Sequence, residues 1–296
     1  MKTTTLLFNL ILLISCMNGQ NENTKTPTVF PFPYDLSEPD EIHELPDILQ
    51  EISALTITPN GDLACVQDEE GIIFFYNLDK KEITNRIIFA KAGDYEGIEF
   101  VGEIVYVLRS DGTIFEIENL GKENQNVTTY DTYLNEKNDT EGLGYDGETN
   151  HLLIACKGKG KTTKMVHDDS KTVFSFDLTT KRLVDNPIIE FKKEALYDFI
   201  ESNNLKKLSF KLNKKMPFNP SGIAMQNGLY FTIASAGKML IVMDKANEIQ
   251  WIEKLDKDIM PKPEGITFDK SGNLFIASEG KKNGNGRILM FSQKSH

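Results

Sequence analysis

Glu264-Gly265-Ile266-Thr267-Phe268, the turn Asp269-Lys270-Ser271-Gly272-Asn273 and then Leu274-Phe275-Ile276-Ala277 read as strand, tight turn and strand. A third apolar run follows at Arg287-Ile288-Leu289-Met290-Phe291. The same order stands near the other end of the chain. There Leu55-Thr56-Ile57-Thr58 leads through Pro59-Asn60-Gly61 into Leu63-Ala64-Cys65-Val66 and then Ile72-Ile73-Phe74-Phe75-Tyr76. Asn-Gly recurs at 227–228, and this dipeptide suits tight hairpins because both positions tolerate positive φ. Both units open on one mark: Ser or Glu, a small residue, then an aliphatic one. Its five copies are Ser53-Ala54-Leu55, Glu96-Gly97-Ile98, Glu141-Gly142-Leu143, Ser221-Gly222-Ile223 and Glu264-Gly265-Ile266, spaced 43, 45, 80 and 43 residues apart. A period of roughly 40–45 residues is that of propeller blades. Short strands bounded by turns, with almost no helical periodicity, mean all-β antiparallel structure.

A fourth strand is expected after the third in most units, at Ile83 to Phe89, Val127 to Tyr133, Leu183 to Ile189 and Ile249 to Ile252. The last unit lacks one, and the stretch Tyr34 to Leu45 is available to supply it. Such closure removes the free sheet edge that an open array would leave. The 80-residue interval holds either a blade that has lost its mark or a blade with an insertion. Within 191–207, Ala195 with Phe199 and Leu196 with Ile200 fall at i, i+4, which gives one apolar helical face. The expectation is a single β-propeller domain over residues 34–296, with five blades and a helical insertion around 191–215. Six blades is the alternative.

Residues 1–15 read as an export signal: Lys2 precedes an apolar stretch from Leu6 to Ile14. That stretch is too short for the ~20 residues of a spanning helix. It ends in Leu13-Ile14-Ser15-Cys16, which resembles the bacterial lipobox. The resemblance implies lipid on Cys16 and a place in the cell envelope, on the inner or outer membrane of a bacterium. Each buried methylene of such an anchor contributes about 0.8 kcal/mol. Residues 16–33 are polar and Pro-punctuated and read as a flexible tether. Cys65 and Cys156 lie in apolar runs, where a free thiol behaves as a small hydrophobe. Their spacing neither demands nor forbids a disulfide. A net charge of −11 argues against nucleic acid or an anionic membrane as the main partner, since both are bound through basic surface. A monomer is expected.

The first strand of each propeller blade lines the central channel, so Ser53, Glu96, Glu141, Ser221 and Glu264 are expected as a ring. Three carboxylates in one ring repel, so at least one pKa should rise or a cation should be recruited. Calcium, served by roughly six to eight oxygens, is the candidate ion. The alternative is that each Glu caps backbone N–H groups of the neighbouring blade. A second set follows the second strands: Asp68, Arg109, Lys157, Ser235, Lys238, Ser278 and Glu279. Gathered on one face, its cations would hold an anionic group while Asp68 and Glu279 position a metal. As solvated hairpin tips they would do neither. The run Lys157 to Lys164 lacks the order of a phosphate-binding loop and reads as a basic hairpin. His43, His151 and His167 assemble no Ser-His-Asp arrangement, and Trp251 reads as core.

In context the marks are Tyr95-Glu96-Gly97-Ile98-Glu99-Phe100, Thr140-Glu141-Gly142-Leu143-Gly144-Tyr145-Asp146, Pro220-Ser221-Gly222-Ile223-Ala224 and Pro263-Glu264-Gly265-Ile266-Thr267-Phe268-Asp269. With Ser53-Ala54-Leu55 they resemble the SdiA-regulated, YjiK-type β-propeller family, in which the leading residues run Ser, Glu, Glu, Ser, Glu. The resemblance covers roughly residues 45–292; the insertion and the lipobox depart from it. It implies an envelope propeller, related to calcium-linked and phytase-like propellers, and names no reaction. Two classes stay open. One is a non-catalytic, membrane-anchored module that binds a ligand or an envelope protein. The other is a calcium-dependent hydrolase, a phytase-like phosphoesterase or a lactonase. Hydrolysis needs a general base within reach of the attacking water, and no histidine is clearly supplied at a blade-top loop. Binding is therefore the favoured expectation.

Overall fold

The computed structural model describes residues 30–158, 170–281 and 284–294. The stretch expected to be an export signal, Cys16, His167 and most of the basic run after Lys157 lie outside the described residues. Each mark starts a strand that a tight turn folds back, so every blade is an antiparallel meander. After β1 (Glu41–Glu44), blade 1 runs β2 (Ile52–Ile57), β3 (Leu63–Gln67), β4 (Ile72–Asn77) and β5 (Glu82–Ile88). Blade 2 is β6 (Tyr95–Val101), β7 (Ile104–Arg109), β8 (Ile114–Glu118) and β9 (Asn126–Tyr130). Blade 3 is β10 (Thr140–Asp146), β11 (His151–Cys156) and β12 (Ser170–Asp177), with β13 (Arg182–Leu183) and β14 (Ile189–Lys192) both paired to β12. Blade 4 is β15 (Asn219–Gln226), β16 (Leu229–Ala236), β17 (Met239–Met243) and β18 (Ile249–Lys254). Blade 5 is β19 (Lys262–Phe268), β20 (Leu274–Glu279) and β21 (Arg287–Phe291). Its outer place is filled by β1, with Glu41 opposite Met290 and Glu44 opposite Arg287. The propeller has five blades, closed by its own beginning.

The first strands meet in a ring: β2 on β6, β6 on β10, β10 on β15, β15 on β19 and β19 on β2. They approach so closely that the mark's second position is Ala in blade 1 and Gly in the other four, and at Gly97 and Gly222 there is no room for a side chain. A Cβ on Gly97 would lie 2.4 Å from the Leu143 Cβ, and one on Gly222 would lie 2.5 Å from the Glu264 carbonyl oxygen. The apolar cores lie between blades. Leu55, Phe74, Tyr76 and Ile288 join blades 5 and 1, while Leu108, Leu143 and Phe174 join blades 2 and 3.

The long interval is an insertion. It holds α1 (Lys193–Ser202) and a short 3-10 turn at Lys206–Leu208. Leu196 and Ile200 bury with Phe191 and Phe218 in the core between blades 3 and 4. Ala195 is exposed, and the aliphatic stem of Lys193 takes a place on the buried side instead. The strand expected at Leu183 to Ile189 is broken into β13 and β14, because Pro187 between them has no N–H for the ladder. Cys65 and Cys156 are buried free thiols. Trp251 is not core: it is half-buried on β18, and Phe32 stacks on it at 5.5 Å. The Lys294 N–H donates to the Pro33 carbonyl at 2.8 Å, so Phe32 and Pro33 already pack against the blades. Among the described residues no helix is long and apolar enough to cross a membrane.

Candidate functional site

In every blade the ladder between first and second strand skips one residue, and it is always the leading residue of the mark. The register jumps from Ile52 to Ala54, Tyr95 to Gly97, Thr140 to Gly142, Pro220 to Gly222 and Pro263 to Gly265. A bulge leaves one residue unpaired and re-aims its side chain. Five equivalent bulges turn Ser53, Glu96, Glu141, Ser221 and Glu264 toward one end of the channel, where they line a cavity of about 250 Å³.

From the second strands, Asp68, Lys157, Ser235 and Glu279 share this cavity. Arg109, Lys238 and Ser278 do not. The Arg109 guanidinium folds onto Asp111 at 2.7 Å and Thr113 at 3.1 Å. The Lys238 ammonium donates to the carbonyls of Ser235 and Pro261, and the buried Ser278 hydroxyl accepts the Lys262 N–H at 3.0 Å. Asn219 and Lys262 complete the polar lining, and sequence reasoning passed over both. A signal for them exists: the residue two before each leading position is polar in all five blades, namely Glu51, Asp94, Asp139, Asn219 and Lys262.

The charges are unevenly matched. Glu141 accepts the Lys157 ammonium at 2.6 Å. Burial opposes the charge on Lys157, yet Glu141 and then Asp139 hold its pKa above the usual lysine range. Lys262 pairs with Glu279. Glu264 is only 9 % exposed, and its carboxylate has neither a hydrogen bond nor an ion pair among the described residues. Burial, then the Glu141 and Glu279 charges, push its pKa up to about 8. Burial, Glu141 and Asp94 raise Glu96 well above the carboxylate range. Asp68 is lifted to about 6 by burial, Glu51 and Glu279, and its Oδ1 is buried without a hydrogen-bond partner.

Ser221 has a different task, tying blade 4 to blade 5. Its hydroxyl donates to the Pro263 carbonyl at 2.7 Å and accepts the Ser235 N–H at 3.2 Å. None of the three ring glutamates accepts a backbone N–H among the described residues, so backbone capping is not what holds them. Nor do any three His, Cys, Asp or Glu side chains among the described residues stand close enough together to hold a metal ion. The Lys157 ammonium already occupies Glu141. Apart from Ala236 the lining is carboxyl, hydroxyl, amide and ammonium. Such walls suit a small, hydrogen-bonding guest, and the unmatched carboxyls suit a positive group on it.

A closed propeller with carboxyls gathered at one channel mouth defines a class by architecture, and within that class function lives in the site rather than the fold. A family model for SdiA-regulated proteins matches residues 40–282, and the chain belongs to that family. No curated protein matches the sequence. Among solved structures, the glutaminyl cyclase of Myxococcus xanthus is similar with a TM-score of 0.52 at 12% identity, over 87% of this chain and 96% of that one. The PQQ-bound aldose sugar dehydrogenase of Streptomyces coelicolor gives 0.48 at 12% identity, over 86% and 97%. A streptogramin B lyase gives 0.43 at 16% identity, over 84% and 67%. At these identities the likeness shows the fold alone.

Proposed function

We propose that this is a lipid-anchored envelope propeller that binds a small, cationic, hydrogen-bonding molecule in the cavity at the channel end. Glu264 carries the reading: a carboxyl nine-tenths buried, lining a cavity, with no hydrogen-bond or ion-pair partner among the described residues. An ammonium group placed there would receive a charge-assisted hydrogen bond, roughly twice as strong as a neutral one. It would also draw Glu264 and Glu96 back toward their ionised forms. The cavity lies just below the roughly 300–1,000 Å³ of drug-sized pockets, so the guest is the size of an amino sugar or amino acid. Calcium is the competing occupant and would have to displace Lys157 from Glu141.

A second reading has one observation in its favour. Carboxyls raised toward neutrality beside an ammonium are what general acid–base catalysis uses, which keeps a phosphoesterase or lactonase in play. One experiment separates the three. The full chain is melted with millimolar glucosamine, glucose or calcium chloride and assayed on an aryl phosphate and an aryl lactone with calcium present. Glucosamine alone should raise the melting temperature, and Glu264→Gln should abolish the rise. A rise with calcium alone would transfer the cavity to the metal, and turnover would establish the enzyme. No rise with any of them would refute the axial binding site.

A further inference from the structure

A second cavity, about 680 Å³, lies in the cleft between blades 4 and 5 and shares no lining residue with the channel cavity. Its electrostatics are opposite to those of the channel. Lys207, Lys238, Lys254, Lys257 and Lys294 all line it, in a chain of net charge −11. Among the described residues only Lys294 of these five has a carboxylate partner, Asp35 at 3.1 Å. Lys254 donates to the Gly237 carbonyl at 2.8 Å, and Lys238 likewise reaches only backbone carbonyls. Lys207 and Lys257 make no hydrogen bond or ion pair among the described residues. Burial holds both Lys238 and Lys254 below the ordinary lysine value, the mark of ammonium groups short of counter-charge.

The three acids in the cleft, Asp35, Glu253 and Asp256, keep their charge but are held by other groups, so the five lysines outnumber them by two. Asp35 is taken by Lys294 and by the Ser37 hydroxyl at 2.6 Å. Glu253 accepts the Trp251 indole N–H at 3.2 Å, and Asp256 accepts the Asp258 N–H at 2.8 Å. What remains is four lysines over an apolar floor of Tyr34, Leu36 and Leu255, each at most 6 % exposed. The cleft thus keeps an excess of positive charge within a chain of net charge −11.

We propose that the cleft between blades 4 and 5 is a binding site for a phosphate group, seated on Lys207, Lys238, Lys254 and Lys257. A compact, strongly hydrated ammonium binds phosphate as a point charge, and several lining one cleft suit a dianion better than a monoanionic carboxylate. The group can belong to a soluble phosphate ester or to a lipid headgroup, and the two sources are separable.

The test uses the full chain with Cys16→Ser, so that an acyl anchor does not obscure binding. Glycerol 3-phosphate is titrated calorimetrically, and vesicles of phosphatidylglycerol or phosphatidylcholine are co-sedimented. The combined variant Lys207→Gln, Lys254→Gln, Lys257→Gln is compared with a charge-matched control, Lys80→Gln, Lys137→Gln, Lys270→Gln. The expected result is glycerol phosphate binding, or retention on phosphatidylglycerol vesicles alone, that weakens roughly tenfold or more in the cleft variant and stays within about twofold in the control. Binding of glycerol phosphate marks a soluble ester as the source; retention on vesicles without it marks a headgroup. Equal loss in both variants would reduce the cleft to non-specific charge, and no binding to either probe would overturn the proposal.

Discussion

Glu264 shows how one side chain carries both a cost and a use. Its pKa rises from an ordinary 4.5 to about 8 in the folded chain, so the folded state holds the proton more tightly than the unfolded state does. Stability from that proton is complete below about pH 4.5 and is lost as pH rises through 8. Glu264→Gln keeps the shape and removes the titration. The variant should match the wild type near pH 4 and exceed it above pH 8 by on the order of 5 kcal/mol, read by calorimetry across that range. A difference that does not change with pH would contradict the account. Glu99 presents a milder case away from the cavity. It accepts the Thr56 hydroxyl at 2.8 Å between blades 1 and 2, and burial lifts it to about 7, so it contributes to the same downward slope between pH 4.5 and 7.

At the scale of the strand, the bulge and the glycine act together. The bulge turns the leading side chain to the channel, and the small residue behind it lets the next blade close in. Gly222→Ala would push a Cβ to 2.5 Å from a backbone oxygen, a contact that no rotamer relieves. Overpacking of this kind costs typically 1–3 kcal/mol; we expect about 2 kcal/mol from urea unfolding, with an unchanged slope. A neutral result would mean that the ring of first strands is looser than its contacts imply. The five marks, their strands and the inserted helix were legible in the sequence because turns and i, i+4 spacing are local signals. The bulges were not, since a skipped residue is decided by hydrogen bonding across two strands and leaves no trace in composition. That is also why Asn219 and Lys262 were missed, although their polar equivalents recur in every blade. Trp251 misled for a similar reason: its cover, Phe32, comes from a Pro-rich stretch about 220 residues away along the chain.

For the molecule as a whole, the first described strand and the last blade form one unit, so the proposed anchor would be separable from the part of the N-terminal region that completes the propeller. Residues before Phe30 would serve only as anchor and tether, whereas 31–45 complete blade 5. Cys16 and Phe32 are 16 residues apart, which at roughly 3.3–3.6 Å per extended residue limits the blades to within about 55 Å of an anchoring membrane. Two variants separate the roles. Cys16→Ser should move the protein from the membrane fraction to the soluble fraction and leave its melting temperature unchanged; continued membrane retention would refute lipid anchoring. Deletion of residues 1–45 should act the other way. It removes β1, frees the β21 edge, and strips away Tyr34, Leu36 and Leu45, which are 6, 4 and 1 % exposed. At 1.5–3 kcal/mol for each large side chain the loss is on the order of 5 kcal/mol, and an unpaired edge strand is a template for association. The shortened chain should therefore melt earlier and self-associate on a sizing column. A monomer with the original melting temperature would mean that β21 needs no partner, and closure of the ring would lose its energetic basis.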